Sequence, residues 1–347
     1  MSIINLFTAP FLKKNVVKDS SELVSVLIPA RNEERYIEKC IRNVMMQTYS
    51  NLEIVIYDDS STDGTNSIVI KTSKEDKRVK IINGESLPDG WRGKNFACWN
   101  LSKHAEGNYF LFIDADVTME KDAVGSALYE IQNKNADILS VFPKQIILSF
   151  GEKAVVPFLN WLLISFIPVK FISSPKYKSL AGANGQFILW KKETYEKSGG
   201  HSAVKNEIVE DIEIAKYLKK NGYNTFLLLS NDLVFCRMYN SFKEAVSGFS
   251  KNIYPASASS PLLFIFNILF IVLSNLLPLI LMFYNEYYIG LILIIILQRV
   301  IVSIVSSQNI FMNILLYPLQ MLMLLYISIR SVVHSRSGRS VWKGRTL

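Results

Sequence analysis

Leu23–Ile28 (LVSVLI) is an unbroken apolar, β-prone run closed by a Pro-Ala-Arg-Asn turn. Glu33–Gln47 follows with Ile37, Ile41, Val44 and Met45 at helical spacing. Leu52–Tyr57 (LEIVIY) reads as a second strand ending at Asp58-Asp59, Gly64–Ser73 as a short helix and Val79–Ile82 as a third strand. Lys94–Ala105 is helical in pattern, and Tyr109–Ile113 (YFLFI) is a fourth strand that stops at Asp114-Ala115-Asp116. Strands this continuously apolar, alternating with helices, predict an α/β domain with a mostly parallel sheet covered on both faces. In such sheets ligands sit beyond the carboxyl ends of the strands, where both acidic clusters fall.

The pattern changes in the last third. Pro261–Tyr284 and Gln308–Ile329 contain no charged residue, and Tyr287–Val305 contains only Arg299. Each approaches the roughly 20 apolar residues that cross a bilayer. Three crossings would leave the two flanks on opposite sides. One segment is therefore expected to be re-entrant or interfacial, and Arg299 points to the second, because a charge inside a span is costly. Ala154–Ile172 is also very apolar, but Pro157, Pro168 and Lys170 interrupt it. It suits an interfacial helix or a core helix equally well. The expected organisation is an N-terminal extension over 1–20, an α/β domain over 21–255, a membrane region over 256–333 and a basic tail over 334–347.

Charge sharpens this division. The chain of 347 residues is 50% apolar and 20% charged, with a net charge of +8. Seven Lys/Arg against the single acid Glu286 leave 245–347 at +6, so the first 244 residues carry only +2. Basic residues gathered at the apolar end speak against nucleic acid as a partner and for a cytoplasmic tail. Met1–Ser20 shows no signal-peptide pattern, so the α/β domain is expected in the cytoplasm as well, on a multi-pass cell-membrane protein. Cys40, Cys98 and Cys236 lie far apart without a CxxC pair, and His104, His201 and His334 have no metal-pair spacing. Buried reduced thiols are the expectation, rather than disulfides or a structural zinc.

The chemistry concentrates in three acidic groups. Asp114 and Asp116, two residues apart at a strand exit, offer hard oxygens suited to Mg²⁺ or Mn²⁺ shared with a substrate diphosphate. A solvated turn would have the same composition. Asp58-Asp59-Ser60-Ser61-Thr62-Asp63-Gly64 offers acceptors for a base and ribose hydroxyls, and Ser61, Thr62 or Asp63 would also cap the following helix. Glu210-Asp211 opens a helical run, Ile212–Lys220, where a carboxylate suits either a general base or the helix dipole.

In this order the residues resemble family 2 glycosyltransferases: Pro29-Ala30-Arg31-Asn32-Glu33-Glu34, Asp59 with its Ser/Thr/Asp turn, Asp114-Ala115-Asp116, Gly199-Gly200 and Glu210-Asp211. The resemblance covers roughly residues 23–230. It implies a GT-A fold that binds a nucleotide sugar and usually inverts the anomeric centre. Carried over, Ala30, Glu33 and Asp59 would hold uridine, and Asp114 the nucleotide sugar. Asp116 would hold the divalent cation, and Asp211 would be the catalytic base. Trp91-Arg92-Gly93-Lys94 looks like the Trp-x-Gly-Lys element of members with lipid acceptors, putting Lys94 near the diphosphate. Gly185, Gln186, Gly199 and Gly200 would shape the acceptor side.

A narrower likeness, to bacterial 4,4′-diaponeurosporenoate (carotenoid) glycosyltransferases, rests on Arg237-Met238-Tyr239, Phe249-Ser250-Lys251, Tyr317-Pro318-Leu319 and Trp342-Lys343-Gly344-Arg345. It would bring Arg237 to the diphosphate, although a basic-aromatic membrane anchor is an equal account of Trp342–Arg345. The implied activity is transfer of a hexose, such as glucose, from a UDP-sugar to a lipid or terpenoid acceptor. A polyprenyl phosphate or exopolysaccharide precursor is the alternative acceptor. The Gln/Arg-x-x-Arg-Trp signature of processive polysaccharide synthases is absent. From a different class, a non-catalytic membrane scaffold of the same fold would keep the sheet without the chemistry.

Overall fold

The computed structural model describes residues 1–15, 17, 21–257, 259–337, 341–342 and 345–346. Lys343 and Gly344 of the Trp342–Arg345 element lie outside them. Contacts gather the chain into two compact units. One comprises Pro10–Lys144 and Lys170–Cys236, the other Met1–Ala9, Gln145–Val169 and Arg237–Leu347.

The first unit is built on a seven-stranded sheet. Its strands are β1 (Val24–Ala30), β2 (Leu52–Asp58), β3 (Val79–Asn83), β4 (Tyr109–Ile113), β6 (Ile138–Phe142), β7 (Phe187–Lys191) and β8 (Thr225–Leu229), in the order β3-β2-β1-β4-β7-β6-β8. A smaller antiparallel ladder joins β5 (Val117–Met119) to β9 (Val234–Cys236). Every residue of β2 and of β4 is buried, as expected of strands covered on both faces. On one face Leu27, Val55, Phe110, Phe112 and Trp190 meet Ala97 and Leu101 of the helix Gly93–His104 and Ile214 and Leu218 of the helix Glu210–Lys220.

The four expected strands form within a residue or two of their predicted bounds, and β1, β2, β3 and β4 are mutually parallel. One boundary differs from the expectation. The first helix begins at Ile37 rather than Glu33, because residues 32–34 are engaged elsewhere, as described below. Further along, β7 pairs antiparallel with both β4 and β6.

Helices make up most of the second unit: Ser2–Thr8, Phe150–Val155, Pro157–Phe166, Phe242–Asn252, Pro261–Leu281, Tyr287–Val305, Ile310–Leu315 and Tyr317–Ser337. The side chain of Asn5 fixes the first of them, donating to the carbonyls of Ile164 and Ile167 at 2.8 and 2.7 Å and accepting from the Val169 amide at 2.9 Å. Pro157 and Pro168 break the run 154–172 into separate helices, among which Phe158, Trp161 and Ile164 are buried.

Two helices, Pro261–Leu281 and Tyr287–Val305, are long and apolar enough to cross a membrane. They expose large apolar side chains such as Leu262, Phe266, Phe270, Leu293 and Ile294. The interruption expected in the second segment falls in the third. Arg299 is buried within an unbroken helix. The run 308–329 instead splits at Leu316 into two helices.

Candidate active site

The strand order places a reversal between β1 and β4, since β1 leads to β2 on one side and has β4 on the other. Ligands of open α/β sheets bind at such a point, beyond the carboxyl ends. Two loops leave the sheet there and lock each other. Asn32, held at φ 54°, donates its amide to Ser61 Oγ at 3.0 Å, and its side-chain oxygen accepts from the Thr62 amide at 2.8 Å. The Glu33 amide donates to Thr65 Oγ1 at 2.7 Å and the Glu34 amide to Asp63 Oδ2 at 3.2 Å. Glu34 returns a contact, accepting from the Gly64 amide at 2.9 Å.

Asp59 follows β2, almost wholly buried. Its amide donates to the Ala30 carbonyl at 2.8 Å, and its carboxylate stands 3.7 Å from the Arg31 guanidinium. No side chain caps the next helix at its N-cap residue, Gly64; Asp63, one residue earlier, accepts from the Thr65 amide at 3.0 Å. Burial works against its charge, but hydrogen bonds from Thr65 and from backbone amides hold the carboxyl below its usual range. The side-chain cap expected from Ser61, Thr62 or Asp63 is not formed at the N-cap position. Gly84 closes this end: its amide donates to the Asp58 carbonyl at 2.8 Å, and a Cβ there would sit 2.6 Å from that oxygen.

Next to these loops, at the exit of β4, three acids and a lysine converge from distant segments. Lys94 Nζ lies 2.9 Å from Asp114 Oδ1 and 3.0 Å from Glu210 Oε1. The helix Gly93–His104 is aimed by its own first turn. The Arg92 amide donates to the Lys205 carbonyl at 2.8 Å, and Asn95 Nδ2 donates to the Val204 carbonyl at 2.9 Å. Burial disfavours the Lys94 charge, but Asp114 and Glu210 outweigh it and hold the ammonium protonated well beyond its usual range.

Asp211, in the first turn of Glu210–Lys220, accepts from the Gly185 amide and from the Ile212 amide, each at 2.8 Å. Burial first, then the neighbouring Glu210, pushes its carboxyl up to about 6, with Lys94 drawing the other way. A carboxylate with that value is poised to take a proton near neutrality. Gly185 leaves little room for a side chain: a Cβ would meet Lys94 Nζ at 3.1 Å and Glu210 Oε1 at 3.2 Å, so both charged groups would have to give.

Lys94, Asp114, Gly185 and Glu210 line one small cleft together with Pro29, Phe112 and His201. Periodicity and spacing gave no hint of His201. Its Nδ1 shares a hydrogen bond of 2.8 Å with the Tyr195 hydroxyl, and its ring meets Phe112 edge-on at 4.7 Å. Burial, and then Lys94, lowers it to about 3, so the imidazole is neutral at physiological pH. Gly199 and Gly200 lie outside this lining. They take φ of 81° and 50° to turn the chain that delivers His201, and a Cβ on Gly200 would fall 2.3 Å from the Tyr195 ring. Arg237 belongs to the helical unit, where it pairs with Glu152 at 2.9 Å.

Asp116 points toward thiols. Burial, then the charges of Asp116 and Asp114, raise the Cys236 thiol, which hydrogen-bonds to the Asp116 carboxylate. Gln186 Nε2 donates to Cys236 Sγ at 2.9 Å. Among the described residues no three His, Cys, Asp or Glu converge as metal ligands. Two carboxylates at a strand exit are too few for a free-standing metal site. They do fit a cation that keeps waters and takes its other oxygens from a diphosphate.

Comparison with known proteins bears on the same residues. The family model described as "Glycosyl transferase family 2" matches residues 25–209, more than half of the chain. A glycosyltransferase of Streptococcus pneumoniae serotype 4, GlyG, is 30% identical over 34% of this chain and 38% of its own length. The 4,4′-diaponeurosporenoate glycosyltransferase of Staphylococcus aureus strain USA300 is 27% identical over 70% of this chain and 64% of its own. The chain thus spans less than two thirds of the length of either relative. Among solved structures, the mannosyltransferase PcManGT of Pyrobaculum calidifontis, in complex with GDP-Man and Mn²⁺, aligns with a TM-score of 0.55. That alignment covers 96% of this chain and 91% of the other at 16% identity, a likeness of fold.

Proposed function

Because this chain belongs to glycosyltransferase family 2 and has the GT-A type of sheet, we propose that it moves a hexose from a UDP-sugar to a lipid or terpenoid acceptor at a membrane, with inversion at C1. The observation that carries this reading is the meeting of Lys94, Asp114, Glu210 and a partly buried Asp211 where β1 and β4 part. Ala30, Glu33 and Asp59 would hold the uridine, and Asp114 the sugar diphosphate. The acceptor's hydroxyl oxygen attacks C1, its proton passes to the Asp211 carboxylate, and the bond from C1 to the diphosphate breaks with its electron pair going to the departing UDP. Lys94 opposes the charge that develops on that leaving group. A divalent cation held by Asp116 would supply further neutralisation of the diphosphate. Gly185 and Gln186 border the acceptor side.

The acceptor class is supported by the name of the Staphylococcus relative, a terpenoid acid glycosyltransferase, and by two helices apolar enough for a bilayer. A carboxylate acceptor is the second reading, favoured by that name. A hydroxyl acceptor is favoured by Asp211, because a carboxylate is already ionised near pH 7 and requires no base.

The test is UDP release from UDP-glucose by membranes carrying the wild type or Asp116→Ala, with Mn²⁺, Mg²⁺ or EDTA and added lipid extract. Lipid-stimulated release that disappears with EDTA and in the variant is the expected result. Release indifferent to both would remove Asp116 and the cation from the reading, and no release with any nucleotide sugar would favour a scaffold.

A further inference from the structure

The helical unit holds a cation whose donors are only partly used. Arg299 sits within Tyr287–Val305 and is 2% exposed. A guanidinium buried in an apolar helix is costly unless its faces, edges and charge all find partners. Its faces do: Cζ lies 4.4 Å from the centre of the Trp161 ring and 5.6 Å from that of Tyr317. One edge does as well, since Nη1 donates to Gln320 Oε1 at 3.1 Å. Gln320 is held in turn by donating to the Lys153 carbonyl at 3.0 Å and to Asn313 Oδ1 at 3.3 Å. Asn313 donates to Ser303 Oγ at 2.9 Å, and that hydroxyl donates to the Arg299 carbonyl at 2.8 Å.

The other edge is open. Nε and Nη2 have no hydrogen-bond partner among the described residues, and neither does the buried Tyr317 hydroxyl. The acids of this unit stand elsewhere: Glu152 pairs with Arg237, Glu244 accepts from the Asn240 amide at 2.9 Å, and Glu286 sits at the N-cap of Tyr287–Val305, more than three turns before Arg299. Nε and Nη2 are the two donors along one edge of the planar guanidinium. That is the fork that grips both oxygens of a carboxylate or phosphate.

We infer that Arg299, framed by Trp161 and Tyr317, is a binding site for the oxyanion of a membrane lipid, a carboxylate or phosphate held by Nε and Nη2 with the Tyr317 hydroxyl donating. Leu293, Ile294 and Leu297 on the same helix and Leu322 on the helix of Tyr317 are exposed, so an amphiphile delivering its head here has apolar surface for its chain. A free anion would have none. The inference rests on the membrane reading of Tyr287–Val305 and is independent of sugar transfer.

The experiment uses the full chain purified in a non-ionic detergent and compares matched pairs by native mass spectrometry: palmitate with methyl palmitate, phosphatidic acid with diacylglycerol, and inorganic phosphate alone. The charged member of each pair is expected to bind at least tenfold tighter. Arg299→Lys, which keeps the charge and loses the fork, should erase most of that preference, and Tyr317→Phe should reduce it a few-fold without changing the melting temperature. Equal binding of acid and ester overturns the site, as does an undiminished preference in folded Arg299→Lys. Should Arg299→Lys fail to fold, an undiminished preference in Tyr317→Phe has the same force. Displacement of bound lipid by millimolar phosphate would overturn the lipid source. A failure of the sugar-transfer reading would appear separately, as absent UDP release.

Discussion

Lys94 neutralises two carboxylates, yet its loss should be read most clearly on a third. It is the one charge drawing Asp211 down against burial and Glu210. Replacing it by Met is expected to raise that carboxyl above about 6 and to move the acid limb of kcat/KM to higher pH. At neutral pH transfer should fall roughly 10²–10³-fold through the lost stabilisation of the leaving group. The sign for the wild type follows from the same value. A base acts when deprotonated, so transfer to a hydroxyl should fade as pH drops through about 6, whereas transfer to a carboxylate should show no limb there. Asp211→Asn should cost about 10²–10⁴-fold with the first acceptor class and little with the second. Measuring both acceptors across pH 5–8 therefore identifies the acceptor as well as the base. His201, at about 3, adds no limb in that range.

Secondary-structure elements divide into those that speak for themselves and those that depend on partners. Both acidic turns were legible because LEIVIY and YFLFI stop abruptly at Asp-Asp and at Asp-Ala-Asp, and apolar strands end where a sheet ends. The delayed start at Ile37 was not, because the capture of residues 32–34 by Ser61, Asp63 and Thr65 depends on a loop elsewhere in the chain. Nor was the direction of β7: four apolar residues before Lys191 read alike either way. The grouping of Lys94 with Asp114 and Glu210 was legible only through family resemblance, since no periodicity links a helix start, a strand exit and another helix start. His201 reaches the cleft because Gly199 and Gly200 both adopt left-handed backbone, and that device can be tested. Gly200→Ala adds strain at φ 50° and drives a methyl into the Tyr195 ring. The expected loss is about 2–4 kcal/mol of stability, visible as a lowered melting temperature in detergent with a larger loss of turnover.

Among the described residues two helices are long and apolar enough to span where hydropathy alone suggested three, and two crossings would return the chain to the side it left. The basic end would then share a side with the segment just before Pro261, as the positive-inside rule asks of a cytoplasmic tail. Because Cys40, Cys98 and Cys236 are all buried, introduced thiols can report on this. Asn285→Cys should react with a membrane-impermeant maleimide in intact cells, and Ser335→Cys only after permeabilisation; the same labelling of both would contradict the two-span reading. The single reversed strand has a wider consequence. The strands β1, β2 and β4 deliver residues to the site as they leave the sheet, but β7 delivers Gly185 as the chain enters it, so its arrival sets which backbone amide faces Asp211. Sliding β7 by one position would bring Asn184 or Gln186 to the place of Gly185, where Lys94 and Glu210 leave little space for a side chain. The strand thus acts as a ruler, and single-residue insertions or deletions in the loop before it should be far less tolerated than the exposed position of that loop would suggest.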